Sequence, residues 1–240
     1  MTTDTDTAHH RHVRSFVRRE GRMTEAQQRA LDALFARYGL AAGETPLDYA
    51  AIFGREAPVV LEVGFGNGES LATMAAAHPE RDYIGVEVHR PGIGRLLNLV
   101  EQQGLENVRV IDHDGVEVMK HQIPPASLAG IQLYFPDPWP KKRHHKRRIV
   151  QPDWVALAAS RLEPGGWLHM ATDWENYALH MHEVMEASTA FDNAHGAGCF
   201  APGPGERPRT KFEERGARKG HGVWDLVYRR RPAAATPGAE

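Results

Sequence analysis

Across the middle of this chain, short apolar segments alternate with segments of helical length, and that alternation limits the available folds more than any other feature. Pro58 to Val63, Tyr83 to Glu87, Asn107 to Ile111, Leu128 to Phe135 and Trp167 to Thr172 read as strands. Glu69 to His78, Pro91 to about Gln103, Gln151 to Leu162 and Trp174 to Ala187 read as helices. Pro91 sits where a first helical turn tolerates proline. Apolar strands joined by helices satisfy their burial and hydrogen bonding best in a parallel sheet covered on both faces. Gly222 to Arg230 alternates in a way that suits a late, antiparallel edge strand. Ahead of the core, Thr24 to Tyr38 has a helix signature, with Thr24 as cap, Gln27 three residues on, and Ala30, Leu31, Leu34 and Phe35 along one face. Leu47 to Phe53 forms a further short element. Residues 189 to 210 are rich in Gly and Pro and read as a long surface loop.

At 240 residues the chain is long enough for one substantial core. The expected organisation is a flexible basic arm over 1–22, a single domain over 23–231 and a disordered tail over 232–240. The formal net charge is −2, so attraction to phosphate must come from local clusters. Such clusters are Arg11 to Arg22, Lys141 to Arg148, Arg207 to Lys219 and Arg229 to Arg231. Cys199 is the only cysteine, which excludes an intrachain disulfide and a cysteine-rich zinc site. A reducing, cytoplasmic setting is expected. No stretch approaches the roughly 18 to 20 apolar residues of a membrane helix.

The turn Gly64-Phe65-Gly66-Asn67-Gly68 follows one strand and precedes a helix. Glycines there allow a tight turn and close approach of a ligand to the backbone. Glu62 lies just before it, and Glu87 ends the next strand, 23 residues after Gly64. An acid at that second position can take both hydroxyls of a ribose. A nicotinamide nucleotide must therefore be weighed. The dinucleotide fingerprint, however, wants a glycine where this chain has Glu69, and a negative charge at a helix start opposes a pyrophosphate. S-adenosylmethionine has no phosphate and a positive centre. Glu62 can help hold its amino-acid end through the ammonium or a water, and Asp114 is placed for the adenine amino group. Capping or a turn role is the other reading of Asp112 and Asp114.

The stretch from Tyr134 to Arg148 sets Asp137 between Pro136 and Pro138 and beside Trp139. Eight residues that are all Lys, Arg or His follow from Lys141. A rigid acidic turn beside a cationic strip suits chemistry on a nucleic-acid base, with the strip on phosphates. A solvated charged loop is the plainer reading of the strip alone. His144 and His145 are adjacent, and adjacent side chains rarely converge on one ion, so no metal is expected.

These blocks together resemble the bacterial tRNA (guanine-N7)-methyltransferase family. The resemblance runs through Leu61 to Gly68, Gly85 to His89, Tyr134 to Arg148, Ala171 to Tyr177, Arg209 to Gly216 and Gly220 to Leu226, in that order. It implies an α/β class I methyltransferase fold, Rossmann-like, with a seven-stranded, mostly parallel sheet flanked by helices and its last strand antiparallel. A sixth strand is not evident around Thr189 to Phe200. It implies S-adenosylmethionine held by Glu62, Gly64, Gly66, Gly68, Glu87, Asp114 and Asp137. It also implies that Lys141, Asp173, Thr210, Lys211, Phe212 and Glu213 meet a tRNA substrate. Arg143, His144, His145, Lys146, Arg147 and Arg148 would be an RNA-contacting strip. The implied target is the variable-loop guanosine, position 46, with no obligate protein partner.

Guanine N7 carries a lone pair and no proton, so methylation there needs no strong base. Alignment in line with the methyl carbon and tolerance of developing positive charge are needed instead. Asp137 is the first candidate for that electrostatic and positioning role, although its carboxylate can equally fix the cofactor or the guanine edge. Asp173 and Glu213 can each accept from guanine N1–H and the 2-amino group. A cap on the following helix is the plainer role for Asp173. Trp139 and Trp174 suit either ordinary packing or stacking on an extruded base, and extrusion costs a few kcal/mol. Methylation of another RNA nitrogen, or a non-catalytic tRNA-binding module, are the competing functions.

Overall fold

The computed structural model describes residues 22–209, 213 and 222–232; residues 1–21 of the expected arm, 233–240 of the expected tail, Thr210 to Phe212 and His221 fall outside them. Two helices come first: α1 (Glu25–Tyr38) and α2 (Tyr49–Phe53). Five strand–helix units follow: β1 (Val59–Val63), α3 (Glu69–Ala77), β2 (Asp82–Glu87), α4 (Arg90–Gln103), β3 (Val108–Asp112), α5 (Gly115–His121), β4 (Leu128–Tyr134), α6 (Pro152–Arg161), β5 (Leu162–Thr172) and α7 (Glu175–Glu186). The chain closes with β6 (Phe191–Asn193) and β7 (Trp224–Arg230).

One seven-stranded sheet results, in the order β3-β2-β1-β4-β5-β7-β6. Strands β1 to β5 are parallel, while β7 runs antiparallel to both β5 and β6. Alternate residues of one strand serve opposite cores. Val60 faces a layer built from α1, α3 and α4, whereas Leu61 faces one built from α5, α6 and α7. Strands buried on both faces explain the predominantly apolar runs of the sequence. Each Leu, Ile or Val so buried contributes roughly 1.5–3 kcal/mol.

Four elements differ from the sequence reading. β7 is antiparallel as expected but lies inside the sheet, because the three-residue β6 pairs along its outer side. β6 itself, unseen in the sequence, has only Phe191 buried and so presents no alternation. Helix α5 also went unrecognised, since seven residues beginning at a glycine offer little period. β5 begins at Leu162 rather than Trp167: Leu162 pairs with Leu128 before a register shift, so Glu163 to Gly166 ride within the strand.

Helix α1 is fixed at its start by reciprocal capping. The Gln27 N–H donates to Thr24 Oγ1 at 3.2 Å and the Thr24 N–H to Gln27 Oε1 at 2.8 Å. Its side chains dock on α4, where Gly94 allows backbone contact: a β-carbon there would sit 2.5 Å from the Gln27 carbonyl oxygen. Backbone on both sides leaves no flexible group to yield. Gly94→Ala is expected to lower stability by about 1–3 kcal/mol, read as a shifted midpoint in urea unfolding with the slope unchanged. A midpoint equal to wild type would show that α1 docks without this approach.

Candidate active site

The carboxyl ends of β1 to β4 open onto a cavity of about 480 Å³. That size is within the usual range for small-molecule sites. Gly64, Gly66, Glu87, His89, Asp114, Tyr134, Phe135 and Asp137 are among its lining residues. Gly64, Gly66 and Gly68 all have left-handed backbones, with φ of 72°, 59° and 73°. At Gly64 and Gly66 a β-carbon would meet nothing within 4 Å. Conformation, not crowding, therefore demands glycine at those two, and the space beside them is open to a ligand.

Glu87 ties this turn to the end of β2. Its Oε2 accepts from the Gly66 N–H at 2.8 Å, and its Oε1 accepts from the N–H groups of Val88 and His89 at 2.7 and 2.9 Å. A carboxylate has about four acceptor sites, so capacity for a hydroxyl remains. Asp114 is the N-cap of α5, accepting from the Val116 N–H at 2.9 Å, and it also lines the cavity. Asp112 faces Arg90 instead, at 3.4 Å. Arg95 pairs with Glu69, so that carboxylate is not a lone charge at the start of α3. A pyrophosphate at that helix start would therefore meet less net negative charge than Glu69 alone brings.

Glu62 does not line the cavity but lies in β1 immediately before Val63, which does. It is 2% exposed, and its Oε2 has no hydrogen-bond partner among protein atoms. Burial, followed by the nearby Glu87 carboxylate, pushes its pKa up to about 8. Gln132, its register neighbour on β4, is also buried with both amide atoms unpartnered. Open glycine backbone and an orphaned buried carboxyl oxygen together fit a ligand bearing a cationic end.

Asp137 is exposed on the cavity rim, in a loop held by strain and by cations. Phe135 and Trp139, on either side of Pro136-Asp137-Pro138, have φ of 51° and 44°. Each such conformation costs of order 1–3 kcal/mol and needs surroundings that enforce it. The Phe135 N–H donates to the Ala171 carbonyl at 2.8 Å. Arg148 Nε donates to the Pro138 carbonyl at 3.0 Å, and the Arg147 guanidinium lies 3.8 Å over the Trp139 ring.

The basic strip forms a 3₁₀ turn over Lys142–Arg147. Lys141, Lys142, Arg143 and Lys146 are exposed, and His144 and His145 are half-buried. Desolvation and then the surrounding cations, Arg143 first, hold the His144 pKa low. Arg148 departs from the expected strip. It is buried, donates to Asn176 Oδ1 at 2.7 Å and lies over the Tyr177 ring, so it braces the loop from inside. Among the described residues no cluster of three His, Cys, Asp or Glu groups could hold a metal ion.

Asp173 is exposed just past β5, and the N-cap of α7 is Trp174, so the capping role does not fall to Asp173. Trp174 is 42% exposed. Thr210, Lys211 and Phe212 lie outside the described residues, whereas Glu213 is paired with Arg207 at 2.6 Å. Arg207, counted in the sequence among phosphate-attracting cations, is instead buried. Its neighbours Asp225, His169 and Tyr134 form a polar cluster that no motif announced, because the partners come from three separate strands.

The chain matches a family model described as "Putative methyltransferase" over residues 56–226. It is 60% identical over 221 residues to a tRNA (guanine-N(7)-)-methyltransferase of Alcanivorax borkumensis, covering 92% of each chain. A relative of the same name from Alkalilimnicola ehrlichii is 61% identical over 224 residues, covering 92% of this chain and 94% of the relative. Among solved structures, the 16S rRNA methyltransferase KamB superposes with a TM-score of 0.56 at 15% identity, over 77% of this chain and 93% of that one. A 16S rRNA (adenine(1408)-N(1))-methyltransferase from Catenulisporales acidiphilia gives 0.53 at 15% identity, over 80% and 95%. The sheet is thus the class I methyltransferase fold, as the sequence resemblance implied.

Glu62 carries a measurable consequence of its burial. Its pKa rises from 4.5 to about 8 on folding, so between those values the folded protein keeps a proton that the unfolded chain releases. Stability from this group is fully present below the lower value and is lost as pH rises through the upper one. Glu62→Gln, which mimics the protonated acid, should gain in Tm relative to wild type as pH rises from about 6 to about 8.5. Parallel Tm curves for the two proteins would show that Glu62 titrates normally.

Proposed function

The chain belongs to the tRNA (guanine-N7)-methyltransferase family, and we propose that the guanine it modifies is the one at position 46, in the variable loop. It is an S-adenosylmethionine-dependent transferase that places a methyl group on guanine N7 of tRNA. The observation that carries the reading is a juxtaposition. A glycine-walled cavity shares its rim with Asp137, and the loop bearing Asp137 leads directly into an exposed cationic turn.

When bound, S-adenosylmethionine supplies a methyl carbon made electrophilic by a sulfonium sulfur, and displacement by N7 leaves a neutral thioether. Gly64 and Gly66 bring backbone close to the ligand; Gly68, expected from the sequence to join them, is not among the cavity's lining residues and packs against Leu96 instead. Glu87 offers its remaining acceptor capacity to ribose hydroxyls, Asp114 faces the adenine amino group, and Glu62 favours an ammonium at the other end. An arriving cation would draw the Glu62 carboxyl toward its ionised form. No residue has to remove a proton from N7, since none is there.

Asp137 stabilises positive charge growing on the purine and helps set the line of attack. Two left-handed residues fix its loop, so little reorganisation is needed as charge develops. Asp173, exposed beyond the end of β5, accepts from guanine N1–H and the 2-amino group. Lys141, Arg143 and Lys146 neutralise phosphates and draw the RNA to the rim, with His144 and His145 alongside. Trp174 offers a face to a base leaving its stack. Arg147 and Trp139 stack on each other and brace the loop from the strip side.

Methyl-labelled S-adenosylmethionine and tRNA lacking 7-methylguanosine supply the direct test. Label should appear in 7-methylguanosine after digestion and vanish when guanosine 46 is replaced. Label in a different nucleoside would assign the chain another nitrogen, and tight binding without label would leave only a tRNA-binding role.

Asp137→Ala separates two jobs for that carboxylate. If it acts on the transition state, kcat falls by roughly 10²–10³ while the calorimetric Kd for S-adenosylmethionine moves less than about fivefold. A cofactor Kd rising in step with the lost rate would make Asp137 a cofactor anchor instead.

A further inference from the structure

Arg207 is among the largest side chains that are fully buried. Its guanidinium is held by two carboxylates. Nε and Nη2 donate to Asp225 Oδ1 and Oδ2 at 3.0 and 2.9 Å. Nη1 and Nη2 donate to Glu213 Oε2 and Oε1 at 2.6 and 2.7 Å. Asp225 Oδ1 also lies 2.8 Å from His169 Nε2, and His169 Nδ1 lies 3.2 Å from the Tyr134 hydroxyl. The same guanidinium sits 5.5 and 5.2 Å from the ring centroids of Tyr134 and Phe135, both of which line the cavity.

Stability alone is a poor reason for such an arrangement. Each buried charge costs several kcal/mol of desolvation, and apolar packing in its place is often neutral or better. What a doubly bidentate arginine does supply is geometry, because its planar fork fixes both carboxylates at once. One of those carboxylates belongs to β7. The other, Glu213, belongs to the segment that the family resemblance assigns to the RNA substrate, along with Thr210, Lys211 and Phe212.

We propose that Arg207 is a positioning residue for RNA binding: it pins Glu213 to β7 and to the aromatic wall of the cavity, which fixes the chain at Glu213 beside the methylation site. The inference rests on the reading of tRNA as substrate. In it, Glu213 serves binding through Arg207 rather than by an independent contact with guanine.

The test measures two affinities on full-length proteins: tRNA by filter binding with S-adenosylhomocysteine present, and S-adenosylmethionine by calorimetry. Arg207→Lys keeps the positive charge but cannot grip both carboxylates. It should weaken tRNA binding about tenfold or more and leave cofactor affinity within about twofold. Glu213→Gln should weaken tRNA binding similarly, and the double variant should add little to either single change. Unchanged tRNA affinity in Arg207→Lys overturns the proposal. So does a parallel loss of cofactor affinity, which would mean simple collapse of the wall. Multiplied losses in the double variant overturn it as well, because Glu213 would then act on its own. If Arg207→Lys does not fold by circular dichroism, Glu213→Gln still decides, since Arg207 keeps Asp225, and normal tRNA binding there refutes the idea. Wild-type protein that binds no tRNA would refute the substrate reading itself, whereas active wild type with an equally active Arg207→Lys refutes only the role of Arg207.

Discussion

Strand order reverses at β1, and the position of every functional group follows from that reversal. From β1 the chain moves outward through β2 and β3, then returns to lay β4 and β5 on the other side. Helices consequently cover opposite faces on the two sides, and the loops after β1 and β4 part company at their carboxyl ends. A crevice at such a switch point is where open α/β sheets bind ligands. Here it is walled by the glycine turn on one side and by Tyr134 to Asp137 on the other. The cavity is therefore a product of topology, and the side chains only give it chemistry.

Much of that chemistry is committed to holding backbone in place. Glu87 accepts three N–H groups at the mouth of the cavity before any ligand is considered. Arg148 braces the Pro138 carbonyl, and Arg147 covers Trp139. Arg207 backs Tyr134 and Phe135 from the far side. Charged groups in these places look expensive, since removing any one partner strands another. Their common effect is a pair of loops that meet the ligand already shaped, which suits a reaction governed by alignment.

The sequence disclosed what depends on local pattern and missed what depends on distant strands meeting. Apolar runs gave β1 to β4 nearly to the residue, because burial on both faces leaves few polar positions, Glu62, Arg109 and Gln132 among them. Thr24 and Gln27 announced the start of α1, since capping is written in four residues. Helix α5 and strand β6 were invisible because seven and three residues carry too little period. The site divides the same way. Gly64, Gly66, Glu87, Asp114 and Asp137 were named from motifs and converge on one cavity. Arg148 and Arg207 are buried rather than surface cations, and a run of basic residues does not reveal which of them points inward. Their partners are Tyr177, Asn176, Asp225 and Glu213, none of them next to either arginine in sequence.

The absence of a proton on guanine N7 explains why the site is built from carboxylates and rigid backbone. A general base would need a pKa near the working pH and freedom to exchange its proton. In the proposed role Asp137 needs neither; it has to be held still. Phe135 and Trp139 hold it, because their left-handed backbones make the loop between them costly to rearrange in any other way that keeps Arg147, Arg148 and Arg207 in contact. Glu62 shows the opposite solution. Deep burial raises its pKa to about 8, and in the proposed role an arriving cation would draw the carboxyl toward its charged form.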